Sequence, residues 1–328
     1  MTAGPAGVPA TQRSSDHLDA GAVLHNYGDL RAVCDFVVDD GAGVPNHVVR
    51  EPRPIDAFAR EPDRVRDGAV VCVKTNMVDG FFAAAFPRLR TRIVLVTVGS
   101  DWSTPGRHAP RLADRRIIRW FGQNCDLPKP HPKFEPIPLG FAEPHWPHGD
   151  QAALLRVHRR MPATADKPLK AYATFHLTSS HPERHHVWQQ IRDLPDVVLE
   201  PRRVPPELVW IRHAGYAFEI CPRGAGPDSH RIWEALLLRT LPIVQSSRLD
   251  SLFVGLPVVQ IEDWREVTRE AMAHWRAELA DRFTAEMFER LTAAYWISRI
   301  AEAAGDELGG RSKPAAQDFA GTTRELSH

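Results

Sequence analysis

The chain has 328 residues, more than one hydrophobic core usually serves, so two domains of roughly 150 residues each are expected. Its 41 basic and 41 acidic residues balance, which excludes a bulk attraction to nucleic acid or anionic membranes and requires a local site for any anionic ligand. The four cysteines are far apart and form no CxxC pair, which excludes a dense disulfide framework and favours a reducing cytoplasm.

The two ends of the chain carry little sign of chemistry. Residues 1–20 are rich in Ala, Gly, Pro and Ser, and residues 309–328 are polar, so both are predicted to be disordered tails. The start lacks a basic segment followed by an apolar core, and no apolar run approaches the ~20 residues that span a bilayer. We therefore expect a cytoplasmic protein without a membrane span.

The first half of the chain alternates apolar runs with helix-forming segments. Such continuous runs are typical of strands buried on both faces of a parallel sheet. Strands are predicted at 69–75, 92–99, 117–121 and 135–140. Their spacing leaves room for crossover helices, for example at 81–86. We assign residues 21–160 to a Rossmann-like N-terminal domain.

A domain boundary is predicted within 145–168, where the chain is rich in proline and polar residues. Beyond it, strands and helices alternate as in a second Rossmann-like domain, assigned to residues 168–308. The predicted strands are 170–177, 196–199 and 216–221, and the predicted helices are 182–193, 205–213, 265–280 and 284–303.

The most informative segment is a Gly-rich turn between a strand that ends at Cys221 and a helix. Its sequence, Pro222-Arg223-Gly224-Ala225-Gly226-Pro227, can continue neither a helix nor a strand, so it forces a turn. Asp228 or Ser229 is predicted to cap the helix that follows. The unpaired N–H groups and partial positive charge of that helix end favour a diphosphate.

Charged side chains flank this turn. Arg223 and Arg231 are suited to paired hydrogen bonds with phosphate oxygens, and Glu234 is suited to accept hydrogen bonds from ribose hydroxyls. Arg184, after another strand-to-helix turn, could reach the same diphosphate. The alternative is a capped surface helix on which Arg231 and Glu234 pair with each other.

This block resembles the C-terminal signature of exostosin-like (family 47) glycosyltransferases, and especially their bacterial polysaccharide-type relatives. The matching segments are Cys221-Pro222-Arg223-Gly224, Asp228-Ser229-His230-Arg231, Trp233-Glu234-Ala235-Leu236 and Leu241-Pro242-Ile243-Val244. The chain departs from the family in having Arg239-Thr240 where a glycine often closes the helix. It also lacks the N-terminal membrane span of animal members, which favours a soluble, bacterial-style enzyme.

The resemblance implies an α/β fold of the GT-B type, with two Rossmann-like domains facing across a cleft. The nucleotide-sugar donor would bind the C-terminal domain, and a carbohydrate or other hydroxyl acceptor would bind the N-terminal one. The resemblance also implies catalysis without a metal or other cofactor. The implied donor-binding residues are Arg184, Arg223, Gly224, Asp228, Ser229, His230, Arg231 and Glu234.

Histidine pairs offer little support for a metal site. His145-Trp-Pro-His148 and the cluster at 181–186 lack a recognised ligand spacing such as HExxH, so no metal site is predicted. The catalytic base is expected on the N-terminal side of the cleft. Asp101, in the loop after a predicted strand, is the first candidate and His25 the second. The alternatives are a turn or helix cap for Asp101 and an ordinary surface position for His25.

The leading hypothesis is therefore a glycosyltransferase that moves a sugar from a nucleotide-diphosphate-sugar to a hydroxyl acceptor, and the resemblance implies that this sugar is a hexose. A non-catalytic nucleotide-sugar-binding protein is the alternative, because it would keep the donor motif without a facing base. A dinucleotide oxidoreductase is disfavoured, since the Gly-rich turn lies late in the chain and lacks a full GxGxxG.

Overall fold

The computed structural model describes residues 18, 22–40, 53–146, 148–177, 181–200 and 204–305. Apart from Leu18, the two predicted tails lie outside the described residues. The strands β1 to β10 are Phe36–Val38, Ala69–Lys74, Ile93–Val98, Ile117–Gly122, Phe134–Pro136, Ala171–Ala173, Val197–Leu199, Phe218–Ile220, Leu241–Gln245 and Val259–Ile261. The helices α1 to α10 are Tyr27–Ala32, Ile55–Ala59, Val78–Gly80, Gln151–His158, Glu183–Ile191, Pro206–Ala214, His230–Leu237, Arg269–Leu279, Ala285–Glu289 and Ala293–Gly305.

The strands form two five-stranded sheets. The first has the order β1-β2-β3-β4-β5, and the second has the order β10-β9-β8-β6-β7. Every ladder in both sheets is parallel. The α/β architecture with two Rossmann-like units, predicted from continuous apolar runs, is therefore confirmed.

The first sheet is wound in one direction, so its strand order follows the chain. Parallel crossovers are right-handed, and a sheet wound in one direction therefore receives its crossovers on one face only. Here that face is packed by Phe81, Phe82 and Phe86 from the β2–β3 connection, which forms short 3₁₀ and π-helical turns where a regular crossover helix was predicted. The opposite face of the sheet needs a separate cover.

That cover comes from the far end of the chain. Trp296 and Ile300 of α10 pack with Leu30 of α1 against the strand residues Val70 and Val94. The domain prediction placed residues up to 308 in the second unit, but α10 lies on the first sheet.

An interruption between two helices makes the return of α10 to the first sheet possible. One helix was predicted over 284–303, but α9 ends at Glu289 and α10 begins at Ala293. Between them, Thr292 pairs with Leu24 in an antiparallel bridge, and the His25 N–H donates to the Leu291 carbonyl at 2.9 Å. The prediction was wrong because the apolar residues keep helical spacing through this segment, whereas its backbone groups form hydrogen bonds with the start of the first unit.

The carboxyl edges of the two sheets face each other. The Leu139 N–H, beyond β5, donates to Asp228 Oδ2 at 2.7 Å, and Arg248, beyond β9, donates to the Asp126 carbonyl at 3.0 Å. The predicted GT-B type of fold, in which two units face across a cleft, is therefore confirmed. Within the described residues, no helix combines the length and the apolar character needed to cross a membrane.

Candidate functional site

The second sheet contains a reversal of strand order that the first sheet lacks. After β6 the chain adds β7 on one side, and it then returns to add β8 on the other side of β6. The loops that leave the carboxyl ends of β6 and β8 therefore diverge and open a crevice. In open parallel sheets this position is where ligands bind. The loop after β6 leads to Arg184 at the start of α5, and the loop after β8 is the Gly-rich turn.

The Gly-rich turn lies directly against the first unit. A Cβ on Gly226 would come within 3.1 Å of Asn124 Oδ1 and 3.2 Å of the Asp101 carbonyl oxygen. The Gly224 N–H donates to the Gly226 carbonyl at 3.1 Å, which closes the turn. Gly226 thus allows the Gly-rich turn to approach the edge of the opposite sheet closely.

Helix α7 begins directly after this turn, with Ser229 as the N-cap residue. Its backbone is extended, but its hydroxyl caps no backbone N–H of the helix. The Ser229 Oγ atom is buried and has no hydrogen-bond partner among the residues that the structure describes. This hydroxyl is therefore available to a ligand at the helix N-terminus.

Asp228 connects the two units. Its carboxylate accepts hydrogen bonds from the Leu139 N–H at 2.7 Å, the Ser229 N–H at 2.7 Å and the Trp233 indole N–H at 2.9 Å. Burial raises the pKa of Asp228 to about 6. Its role as a donor-binding residue stays a prediction, but its observed contacts are those of a structural link.

Arg184 lies over the Gly-rich turn. Its Nε donates to the Arg223 carbonyl at 3.1 Å, and one of its terminal nitrogens would lie 3.3 Å from a Cβ on Gly224. Burial, together with the charge of Arg231, lowers the pKa of Arg184 to about 10. The guanidinium groups thus come from the first turns of two helices, α5 and α7, and lie within electrostatic range of each other. Arg223 itself is exposed at the rim of the same turn.

Beneath Arg231 lies a buried acid, Glu219, which the sequence reasoning missed. Its Oε1 is 3.3 Å from Arg231 Nε and 3.3 Å from His213 Nε2. Glu219 is completely buried, and that burial raises its pKa well above the usual range, despite the opposing effect of Arg231. Burial thus favours the neutral form of Glu219, and neither of its carboxyl oxygens makes a hydrogen bond within the described part of the chain. Arg231 nevertheless lies within ion-pair distance of this acid.

Glu234 is too deeply buried to form the exposed surface pair with Arg231 that was the alternative. Only 8% of its surface is exposed, and the Trp210 indole donates to it. Burial raises the pKa of Glu234 to about 7, although the charge of Arg231 opposes the shift. The alternative of an exposed surface pair is therefore wrong. Contact between Glu234 and a ribose stays a prediction.

The helix α7 ends in a way that explains one departure from the exostosin-like pattern. Arg239 follows the helix with φ = 54°, the left-handed conformation that usually favours glycine. Its carbonyl accepts a hydrogen bond from Thr164 Oγ1 at 2.7 Å, and its guanidinium lies over the Phe288 ring at 5.2 Å. Arginine therefore occupies the helix-closing position, where packing offsets the strain of its backbone.

The two predicted base candidates lie in different environments. Asp101 is exposed in the loop after β3. Its charge tends to raise the pKa of His230, the first residue of α7, although burial lowers that pKa overall. His25 is fully buried beneath Gly140, with its Nε2 at 3.0 Å from the Pro138 carbonyl, and burial lowers its pKa to about 4. The surface position considered for His25 is therefore wrong. The catalytic roles of both residues stay predictions.

Other groups at the first sheet edge are paired. Lys74, at the end of β2, contacts Asp40 at 2.8 Å and Asp39 at 3.7 Å. No cluster of three or more His, Cys, Asp or Glu side chains suited to a metal ion occurs in the described ranges. Residues 178–180, in the loop after β6, lie outside those ranges.

Neither models of known protein families nor curated proteins give a match to this chain. Among solved structures, Anabaena HepE, solved with UDP, is 12% identical over 76% of this chain and 80% of its own, with a TM-score of 0.44. A UDP-forming α,α-trehalose-phosphate synthase from Burkholderia vietnamiensis is 10% identical over 80% and 78%, with a TM-score of 0.41. These identities and TM-scores are too low to carry functional information, so we take function from the site itself.

Proposed function

We propose that this protein transfers a sugar from a nucleotide-diphosphate-sugar to a hydroxyl acceptor. The observation that carries the proposal is the placement of Arg184 over the Gly-rich turn, close enough to Arg231 for the charge of Arg231 to lower the pKa of Arg184. Like charges repel each other, and burial favours the neutral form of Glu219, the acid beside Arg231. A diphosphate supplies the missing negative charge and matches guanidinium geometry.

The remaining groups of the site fit the other parts of such a donor. The N-terminus of α7 and the free Ser229 hydroxyl offer hydrogen bonds to phosphate oxygens. In this proposal Gly224 leaves room for the phosphates to approach the backbone, and Glu234 accepts a hydrogen bond from a ribose hydroxyl. His230, at the first position of α7, faces the opposite sheet edge, where its Nδ1 lies 2.7 Å from the Gly140 carbonyl.

The same charges support departure of the nucleoside diphosphate. Negative charge develops on the diphosphate as the bond to the sugar breaks, and fixed cations with a helix N-terminus stabilise that charge. In this proposal Arg184 and Arg231 supply the compensation, and the reaction needs no bound metal. We keep the exostosin-like assignment and hexosyl transfer as part of the proposal.

The alternative of a non-catalytic nucleotide-sugar-binding protein is less well supported. A binding protein needs only the donor crevice. Here the Asp101 backbone carbonyl lies close to Gly226, and the charge of the exposed Asp101 side chain acts on His230 at the start of α7. A carboxylate of the first unit so near the proposed donor turn favours an enzyme, because a carboxylate can accept the proton of an acceptor hydroxyl.

A ligand-induced stabilisation assay tests the proposal. UDP-, GDP-, ADP- and dTDP-sugars are added separately, and a bound donor at ~100 times its Kd should stabilise the folded chain by about 2.7 kcal/mol. Arg231→Ala should abolish the shift in melting temperature, whereas Arg282→Ala, an exposed control that pairs with Glu278, should retain it. The proposal fails if no nucleotide-sugar stabilises the wild-type protein.

A further inference from the structure

The segment after β5 holds a group of side chains that the donor site does not use. It contains His145, Trp146 and His148, whose spacing did not predict a metal site. The segment lies beside the start of α7, since the His148 ring is 5.9 Å from the His230 ring. The inference below rests on the proposed function, because it concerns the acceptor that would receive the sugar.

A buried carboxylate stands behind His145. Glu143 is 5% exposed, and its Oε2 lies 3.5 Å from His145 Nδ1. The Tyr27 hydroxyl donates to Glu143, and a Cβ on Gly28 would come within 2.5 Å of Glu143 Oε1. The glycine therefore makes room for this carboxylate. Oε2 makes no hydrogen bond within the described residues and lies within ion-pair distance of His145.

This geometry defines how the imidazole can act. Nδ1 is the ring nitrogen of His145 that lies 3.5 Å from Glu143 Oε2, so a proton on Nδ1 would be directed at this carboxylate and would leave the lone pair on Nε2. The His145 side chain is 28% exposed, so the ring is open to solvent on one side. A base oriented by a buried carboxylate is the arrangement that activates hydroxyl groups in many enzymes.

Next to this imidazole is an exposed indole. Trp146 is 50% exposed, its ring lies 5.1 Å from the His145 ring, and it stacks at 6.2 Å on the ring of His148. The series of rings therefore runs from His145 to the donor helix. An exposed aromatic face bordered by polar groups suits the apolar face of a pyranose, whose C–H groups meet the negative face of the ring.

We propose that His145 is the general base for a pyranoside acceptor, that Glu143 is its positioning residue, and that Trp146 binds the acceptor ring. The acceptor O–H proton moves to His145 Nε2 while the acceptor oxygen forms a bond to the anomeric carbon. The bond from that carbon to the diphosphate breaks, and its electron pair leaves with the nucleoside diphosphate. Attack opposite the leaving group inverts the anomeric configuration.

Transfer assays test this assignment. The donor is the nucleotide-sugar that stabilises the protein most, and the acceptor probes are methyl and p-nitrophenyl pyranosides of glucose, galactose, mannose and glucuronic acid. His145→Ala should lower kcat at least hundredfold, as expected for loss of a general base, and leave the donor Kd within twofold. Added imidazole should restore part of the rate. Trp146→Ala should raise the acceptor KM about tenfold with little change in kcat.

Glu143→Gln is tested by a spectroscopic signature as well as by rate. In ¹⁵N-histidine spectra, wild-type His145 should show the Nδ1–H tautomer, and Glu143→Gln should shift it towards Nε2–H and lower kcat about tenfold. The exposed control His274→Ala should behave as wild type.

Each contrary result has a distinct meaning. A wild-type protein that binds no nucleotide-sugar overturns the proposed function. If the donor binds, a kcat for His145→Ala within threefold of wild type overturns the base assignment. A wild-type protein that binds donor but glycosylates none of the pyranosides overturns the acceptor assignment. An unchanged tautomer in Glu143→Gln overturns the positioning role.

Discussion

The carboxyl edges of the two sheets differ in both charge and topology. The second edge carries Arg184 and Arg231, with Arg231 beside an acid, Glu219, whose burial raises its pKa. The first edge carries carboxylates, among them Asp101 and Glu143, together with exposed aromatic and imidazole rings. The second edge is therefore the one proposed to bind an anion, and the first has groups able to accept protons.

The difference follows from strand order. In the second sheet the reversal between β6 and β8 separates two loops and leaves a crevice between them. The first sheet has no reversal, so no such crevice forms within it. Its edge instead presents side chains towards the opposite unit. The proposed site, with a donor side and an acceptor side, therefore depends on the pairing of the two edges rather than on either edge alone.

The largest expected effect concerns the link between the edges. Asp228→Ala removes the acceptor of two buried donors, the Leu139 N–H and the Trp233 indole. Leaving both unpaired should lower the free energy of unfolding by about 4 kcal/mol. Thermal melting measures the loss, and Asp193→Ala, whose side chain is 84% exposed, is the control. A melting temperature equal to that of wild type would show that Asp228 does not join the units.

A second prediction uses the burial of Glu234. Its pKa is about 7 in the folded chain against an ordinary 4.5, so the folded state binds the proton more tightly. The resulting stabilisation is fully present below about pH 4.5 and is lost as the pH rises through 7, an effect of roughly 3 kcal/mol. Glu234→Gln should lack this dependence.

Urea unfolding at several pH values, followed by tryptophan fluorescence, measures that change. The difference in unfolding free energy between wild type and Glu234→Gln should vary with pH by that amount, while the exposed control Glu278→Gln should give a constant difference. A constant difference for Glu234→Gln as well would mean that this carboxyl is solvated in the folded protein.

The smallest expected effect tests whether binding of a nucleoside diphosphate depends on the second edge rather than on the first. Arg184→Ala should weaken nucleoside diphosphate binding by about 2 kcal/mol, or roughly thirtyfold, because charge-assisted hydrogen bonds are lost. It should also reduce the dependence of Kd on salt. Asp101→Ala, on the opposite edge, should leave the Kd for the nucleoside diphosphate alone within a few-fold of wild type. Calorimetric titration measures the Kd of each variant. Equal losses of affinity in the two variants would contradict the assignment of anion binding to the second edge.

Local patterns made much of the fold predictable. The apolar runs of β2 and β3 are buried on both faces, so their composition alone indicates strands of a parallel sheet. The Gly-rich turn before α7 was predictable too, because glycine and proline restrict the backbone whatever surrounds them. The grouping of Arg184 with Arg231 followed from placing both residues after strands of one parallel sheet.

Long-range contacts were not predictable in the same way. The spacing at 284–303 favours one helix, and only the pairing of Leu24 with Thr292 explains the break. The burial of His25 depends on Gly140, which is distant in sequence. Glu219 did leave a signal, because a lone acid within the apolar strand Phe218–Ile220 is unusual. The dyad of Glu143 and His145 left none, since its support comes from Tyr27 and Gly28.

The return of α10 to the first sheet also governs how the protein can be made. During synthesis, residues 22–146 emerge from the ribosome long before Trp296 and Ile300. One face of the first sheet therefore stays exposed until the second unit and α10 have been translated. Residues 22–146 expressed alone would expose Val70 and Val94 and aggregate. A separable N-terminal unit therefore requires α10 to be joined to it, which a circular permutation of the chain can achieve.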